Sequence, residues 1–262
     1  MKKCCLVLSI ICFSLFMGGC ARKETSLPPA KDGPFVANEG TTPTEKSEVT
    51  MLGKVIGGWD EAILIANTED EHGLYQVSLD ALSQDMSQIK PGDKVEIGFD
   101  GLVLEIYPAI ITNPDYIKLL ENGDDLVGLY HGIFQDLFEK DAGLNADIDF
   151  IAVDLSKDKL LTESEKNALL YLLGTSTQIE TRQGNYESLL SENLIIRDEN
   201  TGFSHLKTGL LLQLETSELN INSFRFTAEK WRSSLGAYTL YDCVAKKENG
   251  SWNYEIGAEM IS

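Results

Sequence analysis

Leu74-Tyr75-Gln76-Val77-Ser78-Leu79 and Lys94-Val95-Glu96-Ile97-Gly98-Phe99-Asp100-Gly101 decide how the first half of this chain is read. Tyr75, Val77 and Leu79 alternate with other side chains, and Val95, Ile97 and Phe99 do the same. A period of two puts each apolar set on one face of a strand. The apolar runs Ala62–Ala66 and Leu102–Ile111 add two strands. Val49–Trp59 adds a first strand whose Gly53, Gly57 and Gly58 mark a coiled stretch or a bulge. Asp100-Gly101 reads as a hairpin turn, because both positions tolerate φ > 0. Asp80–Met86 has the composition of a short helix, and Lys90-Pro91-Gly92-Asp93 turns the chain into the next strand.

Residues 49–114 thus read as a small β domain of five strands with a helix between the third and fourth, the order of an OB-like β-barrel. Gly53-Lys54-Val55, Pro91-Gly92-Asp93-Lys94-Val95 and Glu105-Ile106-Tyr107-Pro108-Ala109 resemble the small OB-like domain found in uncharacterised lipoproteins of Gram-positive bacteria. That resemblance implies a fold and no activity.

Residues 115–262 read as a second domain of the α+β class. Asp124 or Asp125 caps a helix to about Lys140, and Leu126, Tyr130, Ile133, Phe134, Leu137 and Phe138 recur on it at helical spacing. Phe150–Leu155 is strand-like. Thr162-Glu163-Ser164-Glu165 fits a capping box, with Gly174 as the stop of that helix. A short helix follows at Tyr186–Glu192. Leu210–Glu215, Phe224–Trp231, Gly236–Ala245 and Trp252–Gly257 are strands, the last pair joined by Asn249-Gly250. The expected architecture is helices packed on a curved antiparallel sheet, cystatin-like or nuclear-transport-factor-like. The joint near Thr112–Asp124 separates two independently folding units in this reading.

The first residues locate the protein. Lys2 and Lys3 precede an apolar or small run from Cys4 to Met17, which ends in Met17-Gly18-Gly19-Cys20. The run is too short for a comfortable transmembrane helix and has the order of a signal peptide, residues 1–19. It resembles the lipobox of bacterial lipoproteins, with Met17 where Leu is usual. The resemblance implies diacylglyceryl modification of Cys20, cleavage before it and attachment to the outer face of the cell membrane. Two buried acyl chains give stable attachment, at about 0.8 kcal/mol per methylene. Residues 20–48 then form the lipidated Cys and a tether, in which Pro28, Pro29, Pro34 and Pro43 lie among polar residues. Of the five cysteines, Cys4, Cys5 and Cys12 leave with the leader, so Cys243 has no partner for a disulfide. It reads as a buried structural thiol.

Composition narrows the partners. Lys+Arg total 22 against Asp+Glu 41, a formal charge of −19. Nucleic acid is excluded as a partner, since its binding needs clustered cations. No nucleophile elbow, HExxH or Gly-rich phosphate loop is present, so no cofactor and no catalytic residue is assigned. Asp154, Ser156, Asp158, Thr162 and Glu165 have the spacing of an EF-hand calcium loop. Lys159 stands where that loop needs Gly, and the segment before it reads as strand, so a loop that caps a helix is the preferred reading. Asp141, Asn145, Asp147 and Asp149 form a second acidic stretch, read as a solvated loop. His72, His131 and His205 are scattered.

Phe224, Phe226, Trp231, Tyr238, Tyr241, Trp252 and Tyr254 are dense enough for a sheet core or for a cleft that takes a peptide or glycan. The expected function is a non-catalytic binding or accessory role at the cell envelope, toward an envelope protein, peptide or glycan. The alternative is an envelope hydrolase using carboxylates of the second domain.

Overall fold

Both alternating segments become strands. The computed structural model describes residues 49–58, 61–80, 82–217 and 219–262. The leader, Cys20 and the tether lie outside the described residues, as do Trp59, Asp60, Ala81 and Glu218. Strands β1 (Val49–Gly58), β2 (Ala62–Asn67) and β3 (Leu74–Ser78) form an antiparallel meander. Next come β4 (Lys94–Phe99), β5 (Ala109–Ile111) and β6 (Pro114–Glu121), giving the order β5-β3-β2-β1-β4-β6. β3 and β5 are parallel. Ile111 of β5 and Ile117 of β6, from opposite ends of that order, share one buried cluster with Val55, Ile65, Val77 and Ile97. The sheet therefore curls around its own side chains. The bulge expected in the glycine-bearing first strand lies between Val55 and Gly57.

Three local expectations here fail. Asp80–Met86 shows no helix among its described residues, which are irregular apart from a turn at Asp80 and a bend at Gln84. Gln84 is instead bound to the backbone of Ile117 in β6 through its side-chain amide. Leu102–Ile111 is not one strand; only Ala109–Ile111 pairs fully, and Leu104 makes an isolated bridge to Ile110. Asp100-Gly101 does turn, with Gly101 at φ 86, but it closes no hairpin, because β4 takes β1 and β6 as its neighbours.

The chain leaves this sheet through Asn122–Asp125. Buried Asp93 clasps that segment, accepting from Gly123 N at 3.1 Å and Asn122 Nδ2 at 3.2 Å. A Cβ on Gly123 would lie 2.1 Å from the carbonyl oxygen of Gly92, so only glycine permits this approach.

Helix α1 (Leu126–Glu139) follows, capped by Asp125. Then come β7 (Phe150–Asp154), α2 (Glu163–Thr177), β8 (Glu180–Gln183), α3 (Tyr186–Ser191), β9 (Ile195–Arg197) and β10 (Ser204–Leu206). The chain ends in β11 (Gly209–Thr216), β12 (Ser223–Ser233), β13 (Gly236–Glu248), β14 (Ser251–Glu255) and β15 (Ala258–Ile261). Thr162 and Glu165 form the expected capping box. The helix runs past Gly174 and stops at Gln178, which takes the left-handed conformation at φ 57. Asn249 and Gly250, at φ 52 and 84, turn the hairpin between β13 and β14.

The second sheet has the order β14-β13-β12-β11-β7-β8. It is not wholly antiparallel: β7 is parallel to both β11 and β8. The helical connections explain this. A strand that returns through α2 re-enters the sheet in its original direction. The protein is thus a sheet-rich α+β structure, and among the described residues no helix is long and apolar enough to cross a membrane.

One apolar layer serves both sheets. Ile56, Leu64, Ala66 and Leu74 of the first sheet pack in the same cluster as α1, α2 and Ile151, Val153, Leu210 and Leu212 of the second. β2 is buried along its whole length, with Ile63 and Ile65 turned to the other cluster.

Polar groups are buried at two points. Asp158 accepts from the Tyr130 hydroxyl at 2.7 Å, from Thr216 Oγ1 at 3.1 Å and from the backbone of Leu161 at 2.9 Å. Lys230 is fully buried, and its Nζ donates to the carbonyls of Phe138, Lys140 and Asp141 and to Asn145 Oδ1. It fastens β12 to the end of α1, and burial pushes its ammonium down to about 8.

Two outcomes are expected. Leu64→Ala removes a side chain shared by both sheets and costs about 2–5 kcal/mol. Aromatic fluorescence and far-ultraviolet dichroism should shift together; two separate transitions, one of them unmoved, would refute a coupling layer.

Burial, then the Asp158 charge, raises the Tyr130 phenol above its usual value of 10.0. A group raised on folding stabilises below its unfolded value and loses that contribution as pH climbs beyond it. Urea midpoints should therefore fall above pH ~10. Tyr130→Phe should flatten that slope by about one proton; an unchanged slope would refute the assignment.

Candidate functional site

Helix α1 carries glycine at two successive turns of one face, Gly128 and Gly132. Each costs about 1 kcal/mol of helix propensity relative to alanine. Their environments differ. A Cβ on Gly128 would fall 2.2 Å from the capping Asp125 carboxylate, whereas a Cβ on Gly132 would meet nothing within 4 Å. Gly132 opens onto a cleft of about 570 Å³. Its walls are this face of α1, the β14 side chains Trp252 and Tyr254, and the turn Lys90-Pro91.

The aromatic wall is held from behind. Trp252 packs on Phe224 with ring centroids 5.5 Å apart, and Tyr254 meets Phe226 edge-on at 5.7 Å. The Tyr254 hydroxyl donates to Asp136 Oδ2 across the groove to α1. Burial, then this hydrogen bond, raises the Tyr254 phenol. Among the described residues the buried indole N–H of Trp252 has no acceptor. Asp125 accepts from Gly128 N at 2.8 Å, and burial raises its carboxyl. Ser251 and Asn253 add polar rim groups. The cleft thus offers an aromatic surface edged by hydroxyl, amide, carboxyl and ammonium groups.

The aromatic residues noted in the sequence divide by sheet face. Phe224 and Phe226 are core, while Trp231 packs on Tyr186 at 5.5 Å on the other side. The Tyr238 hydroxyl bonds Glu259 at 2.7 Å. Only Trp252 and Tyr254 of that set line the cleft.

The calcium-loop candidates are not brought together. Asp158 turns inward to Tyr130 and Thr216. Glu165 accepts from Thr162 and pairs with Lys54 of β1 at 2.6 Å. Asp154 accepts from Ser156 N at 2.9 Å and faces, with Ser156, a crevice of about 270 Å³ at the carboxyl ends of β7 and β8. Among the described residues, no group of three His, Cys, Asp or Glu is placed to share a metal ion.

In the second acidic stretch, Asn145 Oδ1 and the Asp141 carbonyl accept from Lys230 Nζ. His131 Nε2 lies 3.1 Å from Ser176 Oγ, and burial lowers its ring; His72 Nδ1 faces Asn167 at 3.4 Å. His205 is exposed on β10. Cys243 is buried in β13, and burial raises its thiol. No protein-family model matches the chain, and no curated protein sequence matches it.

The sequence signal for the cleft was Gly132 itself, a glycine in the interior of a helix. Its neighbours on β14 lie far along the chain and could not be matched to it without the fold.

Gly132→Ala should stabilise the protein by about 0.5–1 kcal/mol, because the new methyl enters open space. Gly128→Ala should destabilise it by displacing the Asp125 cap. Thermal melts of the two variants check this; a Gly132→Ala variant destabilised like Gly128→Ala would mean that the cleft floor is closed in solution.

Proposed function

We propose that the protein is a lipid-anchored, extracytoplasmic binding protein, held to the cell membrane through Cys20, whose cleft between α1 and β14 takes an envelope peptide or glycan without transforming it. The observation that carries the binding role is the open floor at Gly132 beneath Trp252 and Tyr254. A stable helix would gain from alanine at that position, so the glycine preserves space at a cost in stability. Rings edged by Asp, Asn and Ser suit both sugar faces and extended peptides. The location rests on the leader and the Gly18-Gly19-Cys20 boundary.

An OB-like first half belongs to the same reading. It is supported by the antiparallel meander of β1, β2 and β3, by β4 beside β1 and by the parallel β3–β5 pair. The missing helix before β4 departs from that pattern. The hydrolase alternative draws on the raised carboxyl of Asp125 in the cleft. Asp125 already serves as the cap of α1, and no His–carboxylate ion pair occurs among the described residues.

The test has two readouts. Wild type should incorporate labelled fatty acid and begin at Cys20 by mass, while Cys20→Ser should keep its leader and incorporate none. Calorimetry against cell-wall glycan fragments and envelope-derived peptides should find one class whose affinity drops at least tenfold in Gly132→Leu. An unmodified N-terminus in wild type overturns the anchor. Binding insensitive to Gly132→Leu, or turnover of the fragments, overturns the binding role.

A further inference from the structure

We propose that the loop Leu102–Tyr107 is a membrane-docking surface that lays the body of the protein on the bilayer holding its anchor, an inference that rests on the lipid-anchored reading of Cys20. Val103 packs inward on the core of the curled sheet. Its neighbours point outward, where an extended segment with one buried face normally carries polar side chains. Here the outward residues are apolar: Leu102 is 68% exposed, Leu104 52%, Ile106 61% and Tyr107 63%. The surface continues on both sides. A Cβ on Gly101 would touch Val49 Cγ2 at 3.1 Å, and Val49 is itself exposed. The Tyr107 ring meets Tyr171 of α2 edge-on at 6.2 Å. Contiguous apolar surface of this kind marks an interaction site.

The occupant follows from where the chain enters. Val49 is the first described residue, and the sequence leading from Cys20 arrives there, against Gly101 and next to Leu102. The 28 residues 21–48 are rich in Pro and polar residues, and an unstructured chain of that length would span on the order of 30 Å root-mean-square. A body held that close meets the bilayer at an effective concentration in the millimolar range. A contact too weak to bind from solution then engages, the acyl chains and the apolar loop acting as two signals.

Charge selects the headgroup. No Lys or Arg occurs from Val95 to Ile117, and Asp100 and Glu105 flank the apolar side chains. The loop lacks the basic residues that draw a protein to anionic lipid. Its surface is a zwitterionic or uncharged one, entered by apolar side chains rather than held by ion pairs.

The test uses the processed protein on phosphatidylcholine vesicles, with Leu104→Cys read by a water-soluble maleimide. Leu235→Cys, at a site 70% exposed in the β12–β13 turn, is the control. The native Cys243 is buried. Labelling at 104 should slow about fivefold or more on vesicles, relative to the same protein released by proteolysis of its tether; labelling at 235 should not change. Phosphatidylglycerol vesicles at low salt should weaken the protection, and added salt should restore it. Equal rates at 104 in both states overturn the proposal. Protection that survives release and grows with protein concentration also overturns it, in favour of a second copy of the chain. The mass of the N-terminal peptide reports the anchor separately: an acylated protein unprotected at 104 refutes the docking surface alone, and an unacylated N-terminus refutes the anchor, with protection at 104 in that state overturning the two-signal docking as well.

Discussion

Leu64 and Ala66 point into the layer of α1 and α2, while Ile63 and Ile65, one residue out of step, point into the curled first sheet. Every residue of β2 is buried. A strand with solvent on neither face must be apolar on both, and Ala-Ile-Leu-Ile-Ala meets that demand. The rest of the architecture depends on it. The first sheet has an outer face that only the helices can cover, and the helices have a wide stripe that the second sheet alone does not fill. Lys54 and Glu165 span the same seam at 2.6 Å, with both side chains largely withdrawn from water. Removing one partner would strand the other in a poorly hydrated place.

The polar groups buried elsewhere act as registration points. Asp158 ties α1, through Tyr130, to β11, through Thr216, and its second oxygen receives the backbone of the loop before α2. Lys230 gathers carbonyls at the end of α1 that no helical N–H can reach. Each of these groups bonds several elements at once, which a purely apolar contact does not do with the same directionality. Together they set how far α1 slides along the sheet, and hence the width of the groove between α1 and β14.

Legibility in the sequence follows the range of the interactions. The strands with clear alternation, the Asp125 cap, the Thr162–Glu165 capping box and the Asn249-Gly250 turn were readable, because each depends on residues within a few positions. Where tertiary partners decide, the reading failed. Asp80–Met86 has helical composition, but Gln84 is recruited by β6. Gly174 resembles a helix stop, yet α2 continues to Thr177. The parallel placement of β7 was hidden because its neighbours, β8 and β11, lie on opposite sides of it and are reached by different connections. In Asp154–Glu165 the oxygen-bearing residues cap α2 and fill buried hydrogen bonds, and sequence spacing alone does not separate that role from a metal loop, since the same residue types satisfy helix ends and metal ions. Lys230 gave no signal at all, because a lysine in an amphipathic strand reads as solvent-facing.

Three places break the local rules that the rest of the chain obeys. Gly132 sits inside a helix where alanine would fit, the buried Trp252 N–H has no acceptor among the described residues, and Leu102, Leu104 and Ile106 turn apolar side chains to water. Folding explains none of them: the glycine forgoes helix propensity, the indole forgoes a hydrogen bond, and the loop leaves surface unburied. Such breaks of local consistency tend to fall at functional sites. The first two converge on one cleft, and the third lies beside the point where the chain from Cys20 joins the fold. On the proposed lipid-anchored reading, α1 and β14 would form a ligand surface and the first sheet's loop a bilayer surface. An anchor at Cys20 would limit the distance from the bilayer, and a second contact would limit the orientation.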